Sequence, residues 1–261
     1  MLEFHTDHKR YFEIQLQNAN DYVLPFIEKY FPVKPGMHVL EIGCGQGSLL
    51  KAFADRGCEC VGVEMYPLWI EKANENLADY ISLRKIRVID RNIYDINPEL
   101  DLGHLFDLVV LKDVIEHIHD QKRLIAWMKS FLKPGGMVFF GFPPWQMPYG
   151  GHQQVLPGIL GKTPYWHLLP MPVFKWILKK KGLEQSEMVE IKETGISIER
   201  FQRILIQTGY RIIGKQHWML NPVYQYKFGW KPIRQFSLIS SLPFIRNFLT
   251  TGVYYIVTPE N

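Results

Sequence analysis

The chain has 261 residues, 47% of them hydrophobic and 14% aromatic, so it can bury a large core, and the composition excludes a disordered or fibrous protein. Its 30 Lys and Arg against 26 Asp and Glu give a net charge of +4, short of the excess a nucleic-acid-binding protein needs. The three cysteines, Cys44, Cys58 and Cys60, suggest no disulfide framework, and the first ten residues lack a signal-peptide apolar core, so a cytoplasmic protein is expected.

From about His8 to Phe31, Phe12, Leu16, Ala19, Val23, Phe26 and Ile27 recur at helical spacing, interrupted by Asn18, Asn20 and Pro25. One broken helix or two short ones are predicted within a flank over residues 1–35. Met37 to Ile42 reads as a buried parallel strand, followed by Gly43, Gly45 and Gly47 and then by a helical pattern from Ser48. Alternate glycines permit positive φ and close approach of a ligand, and the helix start offers N–H donors. Strand, turn and helix thus form a cradle for a nucleotide-like ligand. The spacing is G-x-G-x-G, whereas dinucleotide sites use G-x-G-x-x-G, and Ser48 stands three residues after Gly45.

Ser48 to about Arg56 predicts a helix stopped by Gly57, and Cys58 to Glu64 a second strand. Glu64 stands at the tip of that strand, where a carboxylate can accept both hydrogen bonds of a ribose diol. A helix over Tyr66 to Tyr80 and strands at Ile86–Asp90 and Phe106–Lys112 follow. Asp120 suits the cap of a helix to about Leu132, Lys133-Pro134-Gly135-Gly136 a turn, and Met137–Phe142 a fifth strand. Such alternation predicts an α/β, doubly wound sheet.

Two segments carry a family resemblance. Glu41-x-Gly43-x-Gly45-x-Gly47 closely resembles motif I of class I S-adenosylmethionine (SAM) dependent methyltransferases, and Asp113-x-x-Glu116-His117 resembles a segment of their small-molecule, quinone-biosynthesis-type branch. The resemblance is good over about residues 36–145 and moderate over 197–218. It implies a Rossmann-like methyltransferase fold with a mostly parallel seven-stranded sheet, SAM as cofactor and S-adenosylhomocysteine (SAH) as product. It also implies a cofactor site built from Glu41, Gly43, Cys44, Gly45, Gln46, Gly47, Glu64, Met65, Asn92, Ile93, Lys112 and Asp113. Asn92, or else Asp90, would meet the adenine amino group, although either residue also suits the cap of a turn. Ligands of open α/β sheets sit beyond the carboxyl ends of the strands, which puts Asp113, Glu116 and His117 beside the sulfonium and its acceptor.

Residues 143–196 leave the strand–helix rhythm of the 36–142 core and are rich in aromatics, proline and glycine, as a substrate-cap insertion would be. With Glu116 and His117, the residues Trp145, Tyr149, His152 and His167 are the acceptor candidates. His152 and His117 are the catalytic candidates: at His152, as at His167, an imidazole between aromatic walls can position or take an acceptor proton, and His117 comes from the family segment, with an orienting or packing role as its other reading. The competing reading is a rigid loop core with satisfied histidines. Lys175, Lys179, Lys180 and Lys181 suit a solvated helix end, with anion or lipid-headgroup binding as the alternative. Residues 197–261 complete a single domain with a helix over 197–208 and strands at Tyr210–Trp218 and Thr251–Thr258, around a second insertion at 221–249. Pro243, Arg246 and Asn247 interrupt the apolar run Phe236–Val257, so a core strand after an amphipathic segment is expected in place of a membrane span, with a peripheral membrane contact through this segment as the alternative. His117-x-His119-Asp120 has no companion ligand set, and no metal is expected.

The implied reaction is SN2 transfer of a sulfonium methyl to an O, N, S or C nucleophile of a small molecule, with a base needed only if the acceptor must lose a proton. The alternatives are a methyltransferase acting on RNA or protein, an NAD-type oxidoreductase and an inactive SAM-fold binding protein. Lys112-Asp113-Val114-Ile115 is not the [DN]-P-P-[YF] of amide or exocyclic-amine methyltransferases, which weighs against DNA bases and protein glutamine.

Overall fold

The computed structural model of the chain describes residues 7–150, 158–182 and 186–260. Leu40, Ile42, Val61 and Val63 join one apolar core, whereas Val39, Cys60, Leu108 and Val110 join another on the opposite face of the same strands. Strands that are apolar on both faces must be covered on both, which explains their near-continuous hydrophobic runs. The strands are β1 (His38–Ile42), β2 (Glu59–Glu64), β3 (Ile86–Asp90), β4 (Phe106–Lys112), β5 (Leu132–Phe142), β6 (Tyr210–Leu220), β7 (Ile233–Arg234) and β8 (Gly252–Pro259). They form one sheet in the order β3-β2-β1-β4-β5-β8-β6-β7. The first five are mutually parallel, while β8 runs antiparallel to both β5 and β6.

The doubly wound, mostly parallel expectation holds, with eight strands in place of seven. The extra strand is the two-residue β7, which pairs at the edge with β6. A two-residue pairing leaves no period to read in the sequence. A second difference lies at Lys133-Pro134-Gly135-Gly136, expected as a turn before β5. The segment is an irregularity inside β5: Leu132 pairs with Phe106 and Met137 with Leu108, so the intervening residues bulge out and Gly135 takes φ +79°.

Among the described residues seven α-helices precede the first insertion: α1 (His8–Asn18), α2 (Leu24–Glu28), α3 (Ser48–Ala54), α4 (Pro67–Asn76), α5 (Ala78–Ser82), α6 (Pro98–Leu102) and α7 (Gln121–Trp127). A π-helical stretch, Ala19–Val23, joins α1 to α2, so the flank turns without a clean break. The single helix expected over Tyr66 to Tyr80 divides at Leu77, whose side chain is buried against Gly47. The first insertion carries α8 (Ile159–Lys162), α9 (Met171–Lys180) and α10 (Ser186–Thr194). Helix α11 (Ile198–Gln207) returns to the sheet, and the second insertion carries α12 (Val223–Phe228), α13 (Ser237–Ser241) and α14 (Ile245–Phe248).

Local caps agree with the sequence. The Asp120 carboxylate accepts the Arg123 N–H at 3.0 Å and the Ser197 hydroxyl that of Arg200 at 3.1 Å. Asp120→Ala is expected to lower the unfolding free energy by about 1 kcal/mol, measured in urea titrations. An unchanged midpoint would deny the cap its weight.

Candidate active site

The loop after β1 is held by its own backbone. Gly43 N–H donates to Val63 O at 2.8 Å, and Gly47 N–H to Cys44 O at 2.9 Å. Gly43, Gly45 and Gly47 have φ of +70°, +51° and +80°. A Cβ on Gly43 would meet Val114 Cγ2 at 2.5 Å and one on Gly47 would meet Leu77 Cδ1 at 2.3 Å, so these two glycines serve packing as well as the turn. Gly45 differs, because a Cβ there meets nothing within 4 Å. Its backbone is therefore bare toward open space, as a ligand cradle requires.

Glu64 at the end of β2 is tied to this loop. Its Oε2 accepts Gly45 N–H at 2.9 Å, and its Oε1 accepts the N–H groups of Met65 at 2.8 Å and Tyr66 at 3.1 Å. Three donors fix the carboxylate and leave it further acceptor capacity. Glu41 is buried, and its Oε2 has no partner among the described residues. Burial pushes the Glu41 carboxyl up to about 8, with Lys112 opposing and Glu64 adding to the rise. Gln46 is buried with neither amide atom paired, and Glu116, buried at the carboxyl end of β4, has an unpaired Oε2. Desolvation and, secondarily, the nearby Asp113 raise the Glu116 carboxyl well above its usual range. Orphaned buried acceptors are costly, and Glu41 and Gln46 on the open glycine cradle, with Glu116 on the turn after β4, are side chains that a polar ligand would satisfy.

Asp113 follows β4 with φ +56°, a conformation costing a non-glycine residue on the order of 1 kcal/mol or more. Its N–H donates to Gly141 O at 2.7 Å, and its carboxylate pairs with the Lys112 ammonium, which also donates to Gln15 Oε1 at 3.2 Å. Burial opposes the Lys112 charge, but Asp113 and neighbouring oxygens prevail and its pKa is raised. Two further elements close on this point. The Lys227 ammonium of α12 lies 5.6 Å from the ring centroid of Tyr11 on α1. Tyr22, in the π-helical stretch, donates to Gln225 at 2.6 Å. Burial draws the Lys227 amine down to about 8, with Asp113 opposing and Lys112 assisting. Tyr224 is pushed up to about 12 by burial and then by Asp113, with a smaller contribution from Tyr149.

The structure therefore groups Glu41, Gly43, Cys44, Gly45, Gln46, Gly47 and Glu64 around the loop, with Lys112, Asp113 and Glu116 at the end of β4. Met65 is exposed beside Glu64, and Ile93 packs in the core with Leu40. Asn92 takes the turn-capping role, its Oδ1 accepting Tyr94 N–H at 3.0 Å; Asp90 pairs with Glu64 in the sheet register. His117 is exposed on the turn after Asp113. Of the acceptor candidates, Trp145, Tyr149 and His167 come together in the first insertion. His167 is fully buried, its Nε2 lies 2.8 Å from Trp145 O, and its ring meets the Trp145 ring edge-on at 4.8 Å. Desolvation lowers its pKa to about 4, so it braces Trp145 as a neutral ring. Tyr149 donates to Lys162 O at 3.3 Å. His152 lies outside the described residues. Tyr11, Gln15 and Tyr224 carried no sequence signal, and Lys227 none beyond its charge in the second insertion, because only the packing of α1 against α12 brings them to Asp113. Among the described residues no cluster of three His, Cys, Asp or Glu could hold a metal ion.

A family model described as a methyltransferase domain matches residues 12–184. The chain is 34% identical over 125 residues to a ubiquinone biosynthesis O-methyltransferase of Coxiella burnetii, covering 48% of this chain and 51% of that protein. A protein of the same name from Acinetobacter baylyi is 26% identical over 209 residues, covering 78% and 80%. The chain thus spans about half the length of the first curated relatives it matches. Among solved structures, magnesium protoporphyrin IX methyltransferase from Synechocystis with bound SAH superposes with TM-score 0.54 at 12% identity, covering 95% of this chain and 84% of that one. Geranyl diphosphate methyltransferase with SAM gives TM-score 0.56 at 14% identity, covering 94% and 85%. At such identities the structures show the fold alone, but the family model spans well over half of the sequence and includes the glycine cradle and both acidic strand ends: the chain belongs to the methyltransferase domain family.

Proposed function

We propose that the chain transfers the methyl group of SAM to a hydroxyl oxygen of a small-molecule acceptor. The observation that carries this reading is the pair of buried, unpartnered polar side chains Glu41 and Gln46 on the strand and loop that carry the bare backbone of Gly45, with Glu116 likewise unpartnered on the turn after β4. Together with Glu64, they supply acceptors and donors suited to the ribose and the ammonium-bearing end of SAM. When bound, SAM contributes a methyl on a positively charged sulfur, a good leaving group. The chain's own work is then positional. Glu64 is held rigidly by three N–H groups, and the Lys112–Asp113 pair fixes the end of β4. Trp145, braced by His167, joins Tyr149 and Tyr224 as aromatic walls that orient an acceptor and exclude water. His152 is retained as the proposed partner of the acceptor hydroxyl, and His117 as a second candidate. The names of the curated relatives support oxygen as the acceptor atom.

Calorimetric titration tests the cofactor. SAH is expected to bind and NADH to give no heat of binding. Binding of NADH, or silence with SAH, would overturn the assignment. The acceptor class is tested by mass spectrometry of hydroxylated aromatic compounds incubated with enzyme and SAM, where a gain of one methyl on oxygen is expected.

A further inference from the structure

Between Gln235 and Thr250 the usual relation of polarity to burial is inverted. The four buried residues of this segment are Gln235, Arg246, Asn247 and Thr250, all of them polar. They are tied into the body of the protein. Arg246 Nε donates to Glu199 Oε1 at 2.9 Å and its Nη2 to Gln202 Oε1 at 3.2 Å; Asn247 donates to Glu199 Oε2 at 2.6 Å and accepts Ile198 N–H at 2.8 Å. Gln235 N–H donates to His217 O at 2.9 Å. With its polar groups turned inward, the segment turns its large apolar groups outward: Phe236, Leu238, Phe244 and Ile245 are between 55% and 74% exposed. Phe244 is held there at φ +64° with its N–H on Glu199 Oε1 at 2.9 Å.

The apolar exposure is concentrated. Ten of the twenty exposed large apolar side chains among the described residues fall between Phe228 and Leu249. Scattered exposed apolar residues are ordinary, but a set concentrated in one short segment built on buried polar anchors needs an explanation. The surface is also braced from the first insertion, where the Tyr165 hydroxyl donates to Phe248 O at 3.1 Å.

Charge identifies the partner. Lys231 and Arg234 stand exposed beside the apolar set, while Glu199, the carboxylate that reaches this segment, is taken up by Arg246, Asn247 and the Phe244 N–H. An apolar face rimmed by unopposed cations matches the headgroup–acyl boundary of an anionic bilayer. A second copy fits less well, because a two-fold contact through this face would oppose like charges. No described helix is long and apolar enough to cross a membrane, and α13 and α14 have only five and four residues, so the contact is superficial. We propose that residues 230–249 form a docking surface for an anionic phospholipid bilayer, with Trp230, Phe236, Leu238, Phe244 and Ile245 entering the boundary region and Lys231 and Arg234 facing the headgroups. This surface is independent of the reaction proposed above.

Flotation of the whole chain with vesicles tests it. Binding is expected on phosphatidylcholine vesicles containing about 30% phosphatidylglycerol, much less on phosphatidylcholine alone, with a several-fold fall at about 0.5 M salt. The triple variant Phe236→Ser, Leu238→Ser and Phe244→Ser should bind at least about tenfold less, and Lys231→Ala with Arg234→Ala should lose only the preference for anionic vesicles. Retained SAH binding and an unchanged thermal midpoint verify that the variants are folded. Absence of wild-type binding to anionic vesicles, or binding unchanged in either variant, would overturn the proposal. So would a concentration-dependent dimer in sedimentation velocity that the triple variant abolishes, since it would assign the face to self-association.

Discussion

Gly45→Arg is expected to weaken SAH binding by at least about 100-fold, or about 2.7 kcal/mol, while the fold survives. The argument rests on what surrounds the position. A Cβ at Gly45 meets nothing within 4 Å, so no neighbour must move to admit a side chain, in contrast to Gly43 and Gly47. The added guanidinium must instead project into the open cradle. The stability penalty comes from φ +51°, which costs a non-glycine residue on the order of 1 kcal/mol and should lower the thermal midpoint by about 2–4 °C. Titration calorimetry and a melting curve measured together separate the two effects. Undiminished SAH affinity in a folded variant would remove the glycine loop from the cofactor site.

A pH-dependent stability carried by Glu41 should be the other large effect. Burial first, and Glu64 after it, hold the Glu41 carboxyl near 8 in the folded protein, against 4.5 as its ordinary value. A group whose folded pKa is raised contributes its full stability below the unfolded value and loses it as pH climbs through the folded value. Unliganded protein should therefore lose stability between about pH 4.5 and 8, by up to about 5 kcal/mol, and level off above that. Glu116, raised for the same reason, acts in the same direction. Glu41→Gln cannot ionise, so its stability curve should be flatter and lie above that of the wild type at pH 9. Its SAH affinity should fall by about tenfold, because the ammonium of the ligand loses a carboxylate. A cationic ligand also lowers the carboxyl pKa, so binding near pH 7 should release protons, and less of this release should remain in the variant. Calorimetry in buffers of different ionisation enthalpy counts them. Identical stability curves for the two proteins from pH 5 to 9 would dismiss the buried acid as their source.

Much of the local geometry of the glycine loop was legible in the sequence. Gly43, Gly45 and Gly47 all have positive φ, and Glu64 does reach the loop, through Gly45 N–H. These are short-range facts, in which residue type and spacing dictate the backbone conformation. The caps at Asp120 and Ser197 were readable for the same reason. What escaped the sequence depends on contacts between distant segments. Lys227 follows Tyr11 by more than two hundred residues and approaches it because α12 packs on α1. His167, expected to face an acceptor, is buried against Trp145 because the first insertion folds onto itself around that indole. The apolar run beginning at Phe236 stood out in the sequence, but not which way its side chains face, since helices of four and five residues are too short to show a period, and the sequence rule that apolar residues turn inward is reversed there.

By itself, the sequence determined the alternation of strand and helix, the glycine cradle and the acid that supports it, because hydrophobic period and glycine placement act within a few residues. Only the tertiary structure decided which polar groups are buried without partners, which histidine is a brace, and which apolar residues face solvent. Those properties depend on the removal of water by parts of the chain far away in sequence, and Glu41, whose charge is governed by burial, is the clearest instance.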